Sequence, residues 1–342
     1  MNQEHDAFGE ALKKRFGAVG PTQGWSTLVE MGAPALRVPE RLGGLGLGAA
    51  ALGPVFDALG EHCVPSPYLD TAVTAVGLLL AAENEAGDTL LRGIAERGDR
   101  AAVVGIDRRL RGAVSATPAA TGWRLDGDAL LVMDDGDAAT LLVAARTERG
   151  GTALLLASRS EAGVTGRSYP TIDGRFATDL RFINAPALLL NGEADDLLIA
   201  AVDEAIACLA VEAAALMRRL VADTLAYAKQ REQFGQPIAR FQVIQHRLVD
   251  MHIAARRTGA IACRAMAALD GGWRERGRLA SAAKATAAEA GRFVGQQAVQ
   301  LHGGMGMTEE LPIGRFFKRL TVIESELGSR DEHVRRFADL VG

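Results

Sequence analysis

The chain has 342 residues, 48% of them hydrophobic and 23% charged, with a formal net charge of −4. That length predicts two or three packed layers or domains, and the ordinary apolar content argues against disorder. No basic run points to nucleic acid, and charges or glycines break every apolar stretch before it reaches a bilayer span.

The first residues, Met1-Asn2-Gln3-Glu4-His5-Asp6, are polar and acidic, unlike a secretory signal. Residues 1–100 read as a helical domain. Ala7–Phe16, Trp25–Met31, Ala49–Leu59 and Thr71–Ala95 carry apolar residues at three-to-four spacing between breakers such as Gly20-Pro21 and Pro65-Ser66-Pro67. Between them Val38-Pro39-Glu40-Arg41-Leu42-Gly43-Gly44-Leu45-Gly46 forms a glycine-rich loop. No strand–turn–helix unit surrounds it, which argues against a dinucleotide-binding turn.

Residues 101–190 change texture. Ala101–Ile106, Trp123–Asp126, Ala129–Met133, Thr140–Ala145, Thr152–Ala157 and Asp179–Ile183 are short runs, often β-branched. Turn clusters separate them at Asp126-Gly127-Asp128, Asp134–Asp137 and Arg149-Gly150-Gly151. This spacing predicts a compact antiparallel β-domain, with Trp123–Gly127 as a hairpin arm entering its turn.

From 191 to 342 the sequence is alanine-rich, and the candidate helices are Asp195–Gln230, Phe241–Leu269, Leu279–Leu301 and Arg330–Leu340. Alanine favours helix and permits close approach, so a C-terminal four-helix bundle is expected. The predicted class is α+β: helical domain, antiparallel β-domain, helical bundle. Cys63, Cys208 and Cys263 are scattered without metal-ligand spacing and read as reduced thiols of a cytosolic protein. The histidines form no cluster, so no metal site is expected.

Two segments in the bundle stand out. Arg231-Glu232-Gln233-Phe234-Gly235-Gln236-Pro237-Ile238 places a fixed positive charge, an aromatic and a glycine turn at the end of a long helix. Gln300-Leu301-His302-Gly303-Gly304-Met305-Gly306 puts paired glycines directly after another, where backbone can approach a ligand closely. In this order, with helices between, they resemble the acyl-CoA dehydrogenase family, flavoenzymes that oxidise acyl-CoA thioesters. The resemblance covers almost the whole chain. It includes the three-domain order and the Pro39-Glu40-Arg41-Leu42-Gly43-Gly44-Leu45-Gly46 loop, which is mainly structural in that family.

The resemblance implies FAD as cofactor, an acyl-CoA substrate and an electron-transfer flavoprotein as electron acceptor. It assigns cofactor contacts to Arg231, Gln233, Phe234, Gln242, Gln300, His302, Gly303, Gly304 and Ser329. Arginine suits the pyrophosphate because its planar guanidinium grips it bidentately and stays charged. In the family the Arg-x-x-Phe-Gly and Gln-x-x-Gly-Gly segments that hold one FAD come from neighbouring subunits. The expected state is therefore a homo-oligomer, or a heterotetramer with a related dehydrogenase subunit.

Dehydrogenation also needs a carboxylate to remove the α-proton, and a positioned base contributes roughly 10²–10⁴-fold. Many members carry it in a Tyr-Glu-Gly-Thr segment. Aligned from Glu310-Leu311-Pro312, the matching residues are Glu326-Leu327-Gly328-Ser329, so Leu327 occupies the base position and Glu326 precedes it. Other members place the base on the first bundle helix, at a position that falls on Ala205; Glu212 lies two helical turns further on a similar face. Glu326 and Glu212 are thus competing candidates, beside the alternative that this chain has no base and completes the FAD site of a heteromeric enzyme. The family's Thr-Glu-Pro-x-x-Gly-Ser-Asp loop has no counterpart; its region holds Asp107-Arg108-Arg109-Leu110-Arg111 and Ala116-Thr117-Pro118.

Overall fold

The computed structural model describes residues 3–20, 23–107, 114–307 and 312–342. Helices fill the chain up to Arg97, strands the stretch from Ala101 to Asn191, and helices again from Asp195 onward. The described residues form two compact units. One comprises 23–52 and 66–205; the other comprises 1–22, 53–65 and 206–342.

In the first unit the helical part contains α2 (Gly24–Glu30), α4 (Val76–Ala82) and α5 (Glu85–Arg97). The single helix expected over Thr71–Ala95 is divided. A buried π-helical stretch, Leu69–Ala75, leads into α4, which ends at Glu83 in a left-handed conformation (φ 46°). Asn84 then begins α5, its side chain accepting from Ala86 N at 2.9 Å. Such a cap satisfies one of the helix's orphan amides, and Gly98 (φ 69°) closes the other end. Nothing in an apolar period alone marks this break.

The glycine-rich loop is tied to itself: Gly44 N donates to Pro39 O at 3.2 Å and Gly46 N to Val38 O at 2.8 Å. A Cβ on Gly44 would overlap the Val38 carbonyl, so the glycine serves packing.

Among the described residues the β-domain has seven strands: β1 (Ala101–Val104), β2 (Val114–Pro118), β3 (Trp123–Val132), β4 (Thr140–Thr147), β5 (Thr152–Ser158), β6 (Val164–Pro170) and β7 (Phe176–Asn191). Along β4-β2-β3-β7-β5 the pairing returns to β4. Most pairs are antiparallel, while β4 runs parallel to β1 and β2. The alternation of side chains along β4 serves two cores. Leu141, Val143 and Ala145 join Val104, Leu125, Leu155 and Phe182, whereas Leu142 and Ala144 join Leu79, Leu91, Ile94 and Leu198 beneath the helices. The expected turn at Asp126–Asp128 is absent. β3 runs through it with a register shift against β7 between Leu125 and Gly127, and Trp123 leaves the turn after β2 rather than entering one. A bulge absorbs the Gly127 signal.

In the second unit α1 (Gln3–Val19) and α3 (Leu52–His62) join the C-terminal helices. These are α6 (Asp195–Gln230, belonging to this unit from Ile206), α7 (Gln242–Ala267), α8 (Trp273–His302), α9 (Ile313–Ser325) and α10 (Arg330–Val341). Helix α9 adds a fifth element to the four anticipated. It buries Ile313, Phe316, Leu320 and Ile323, and Gly291 and Gly295 of α8 let Leu320 and Phe317 approach closely. Asp57 joins α3 to its neighbours by accepting from Lys13 at 2.9 Å and Arg218 at 2.7 Å.

Candidate functional site

The Arg231 segment is a two-residue hairpin at the end of α6. Strands β8 (Glu232–Gln233) and β9 (Gln236–Pro237) are joined by Phe234 (φ 53°) and Gly235 (φ 77°). Two consecutive positive φ values give the I′-type turn that matches strand twist. The chain thereby accepts a left-handed phenylalanine that is 91% exposed, its ring edge-on to Phe241 at 6.0 Å between centroids. Arg231 is exposed and forms no ion pair among the described residues. Gln242 is exposed in the first turn of α7, and Gln233 donates to Glu232 O at 2.7 Å.

The glycine segment is the C-terminal cap of α8. Gly303 adopts φ 59°, ψ −139°, its amide donating to Gln300 O. A Cβ on Gly303 or Gly304 would meet nothing within 4 Å, so both open onto free space, and Gln300 is exposed beside them. His302 points the other way: it is buried, with Nδ1 on Ala298 O at 2.8 Å. Its ring stacks on Tyr227 at 4.3 Å between centroids and 27°. Tyr227 also donates from its hydroxyl to His302 O at 3.4 Å. This contact brings the two segments together within one chain. Sequence reasoning singled out both segments but not Tyr227.

Ser329 begins α10. Its hydroxyl donates to Glu332 Oε2 at 2.8 Å and its amide to the same oxygen at 2.7 Å, a capping box. That engagement is structural.

Glu212 and Glu326, the two candidate bases, meet on one cation. Arg319 of α9 donates from Nε and Nη2 to Glu212 Oε1 and Oε2 at 2.6 and 2.7 Å, and from Nη1 to Glu326 Oε2 at 2.9 Å. All three side chains are at most 10% exposed. A carboxylate that accepts a proton here gives up charge-assisted bonds to a buried guanidinium. Cys63 lies beside this triad, and burial pushes its thiol up to about 12. Glu204, in the other unit, pairs with Arg37.

The last turn of α9 and the segment after it are held through their carbonyls. Buried Lys284 donates to Ile323 O at 2.8 Å, Glu324 O at 3.0 Å and Gly328 O at 2.7 Å, using all three ammonium hydrogens. His333 Nε2 donates to Leu327 O at 2.9 Å. Leu327, at the expected base position, is left-handed (φ 58°). Lys284 and Arg319 escaped sequence reasoning; a lone lysine inside an alanine-rich stripe was the available signal for the first. Glu310 and Leu311, two of the three residues that anchored that alignment, and Arg108–Arg111 lie outside the described residues. Among the described residues no group of three or more His, Cys, Asp or Glu is placed to hold a metal, and no helix is long and apolar enough to cross a membrane.

The model of the acyl-CoA dehydrogenase C-terminal domain matches residues 197–340. Acyl-CoA dehydrogenase FadE27 of Mycobacterium tuberculosis is 30% identical over 342 residues, covering 97% of this chain and 90% of that protein. The chain belongs to the acyl-CoA dehydrogenase family. Acyl-CoA dehydrogenase IpdE2 of the same organism is 31% identical, covering 91% and 84%. Among solved structures, the Tcur3481-Tcur3483 steroid ACAD superposes on this dehydrogenase with a TM-score of 0.87 at 28% identity, covering 99% of this chain and 97% of that one. The dehydrogenase is thus similar to its relatives along nearly its full length, with the helix–strand–helix order of the family.

Proposed function

We propose that this chain is a FAD-holding subunit of an enzyme that dehydrogenates an acyl-CoA thioester across its α,β-bond and passes the electrons to an electron-transfer flavoprotein. The observation that carries the reading is the presence of two open segments, the unpaired Arg231 hairpin and the Gly303-Gly304 turn, each suited to one part of a dinucleotide held between neighbouring subunits. These residues fit a dinucleotide. Arg231 offers charge to a pyrophosphate, Phe234 and Gln242 flank it, and Gln300, Gly303 and Gly304 leave room for close approach. FAD, when bound, supplies the hydride acceptor for the β-carbon. Purified protein should be yellow, and Arg231→Ala should lower FAD per chain. Unchanged flavin content in a correctly folded oligomer overturns the assignment.

The Arg319 triad favours a second reading for the proton. With Glu212 and Glu326 both bound to Arg319, the α-proton goes to a carboxylate of a related subunit, and the chain completes the FAD site of a heteromer. The steroid ACAD named for Tcur3481 and Tcur3483 together supports a paired assembly and makes sterol-derived acyl-CoAs the first to try. Anaerobic flavin bleaching by linear, branched and sterol-derived acyl-CoAs, with the chain alone and co-expressed with a related dehydrogenase subunit, separates the two. Bleaching by the isolated chain that disappears in Glu212→Gln or Glu326→Gln restores a base to this chain.

A further inference from the structure

We infer that the outer face of α7, with the groove it forms alongside α8 and α10, is a two-fold contact surface for a second copy of this chain. The inference stands apart from the FAD reading, since the face includes neither the Arg231 hairpin nor the Gly303-Gly304 turn.

The three helices line a groove of about 390 Å³ in which Ile253 of α7, Phe293 of α8 and Val334 of α10 present apolar side chains. These three, and Val249 one turn before Ile253, are 36–56% exposed. Helix α7 already buries its opposite stripe, Leu248, Met251, Ala255 and Ala262, within the chain. Val249 and Ile253 therefore form a second apolar row that the chain's own core does not use. A contiguous apolar surface rimmed by polar groups marks an interaction site.

The charges on the face say which partner it fits. Asp250 and Arg257 flank Ile253 and lie two helical turns apart, on the same side of α7 and about 10 Å from each other. Both are exposed, and among the described residues neither makes an ion pair or a side-chain hydrogen bond. In a two-fold contact residue i meets j and j meets i. A second α7 laid antiparallel about the point between Ile253 and Ala254 brings each Asp250 to the Arg257 of the other copy, with the two Ile253 side chains at the centre. The same register keeps like charges apart, because Arg247 comes opposite Ala260 and Arg264 opposite Val243. A second copy supplies this mirrored pair by symmetry, whereas a chain of different sequence would have to match it by coincidence.

Charge reversal in the native assembly tests this, with mass read by analytical ultracentrifugation and folding by circular dichroism. Asp250→Arg exchanges attraction for repulsion at two symmetric places. It should raise the dissociation constant of the contact roughly 30-fold, so that the mass of the assembly halves on dilution. Arg257→Asp should do the same. Both substitutions in one chain restore opposite charges across the axis and should regain the natural mass. An equal mixture of the two single variants should regain it too, because each arginine pair then meets an aspartate pair. Ile253→Glu sets two carboxylates at the centre and should dissociate the contact most strongly. Single reversals and Ile253→Glu that leave the mass unchanged overturn the proposal. A double variant or a mixture that stays dissociated also overturns it, since the face then fits a chain of another sequence. Should Asp250→Arg fail to fold, Arg257→Asp and the double variant decide the matter.

Discussion

Replacing Arg319 with methionine isolates what the Glu212–Arg319–Glu326 triad contributes. The substitution removes three charge-assisted bonds of 2.6, 2.7 and 2.9 Å and leaves two carboxylates, neither more than 10% exposed, facing each other without a cation. Breaking a buried pair from one side costs about 3–5 kcal/mol, against about 0–1 for an exposed pair. Two stranded carboxylates place this case at the upper end. For a chain of this size the loss lowers the melting midpoint by roughly 10 °C. The triple variant Arg319→Met, Glu212→Gln, Glu326→Gln keeps the volume, removes every charge and should regain most of that loss, because neutral amides can hydrogen-bond to each other. Thermal unfolding followed by circular dichroism reads both. An Arg319→Met protein within about 1 kcal/mol of the natural chain, or a triple variant no more stable than the single one, refutes the reasoning.

Further outcomes follow from other parts of the structure. Burial alone would raise the Asp57 carboxyl, but Lys13 and Arg218 outweigh it and hold it below its ordinary value. Its contribution is therefore present above the unfolded value, near 4, and lost as pH falls through the folded one. Asp57→Asn should be less stable at neutral pH, with a shallower acid limb in pH-dependent unfolding. With Cys63 and Cys208 buried and Cys263 exposed, a thiol reagent at about pH 8 should label one cysteine per native chain and three after denaturation. Gly44→Ala drives a methyl into the Val38 carbonyl and should destabilise by about 2–3 kcal/mol in urea titration; a neutral effect would show that the loop relaxes freely.

The helix–strand–helix order was legible because the segments differ in texture: apolar residues at three-to-four spacing in α1, alanine-rich stretches in α6, and short uninterrupted apolar runs such as Leu141–Ala145 in β4. Strand β6 was not, since five of its seven residues, among them Thr165, Gly166 and Arg167, face solvent and the other two are half-buried, with no alternation. Helix α9 was hidden by its neighbours, Pro312 and the glycine turn, although Ile313, Phe316, Leu320 and Ile323 keep a helical spacing. In the candidate site, Arg231, Phe234, Gly303 and Gly304 could be singled out because each belongs to a short local motif. Glu212 and Glu326 were visible as carboxylates, but their common partner was not. An ion triad drawn from α6, α9 and the loop after it has no spacing rule that a single chain exposes. The same holds for Tyr227 and His302, whose stack is a fact of helix packing.

Lys284 and His333 grip the segment from Ile323 to Gly328 entirely by its carbonyl oxygens. Glu324 and Glu326 are also tied by their side chains, to Arg292 and Arg319, but the anchors of Leu327 and Gly328 use only the main chain. A side-chain exchange at position 327 therefore leaves those anchors in place. Leu327→Glu would set a carboxylate on this frame, at the position that the resemblance assigns to the base.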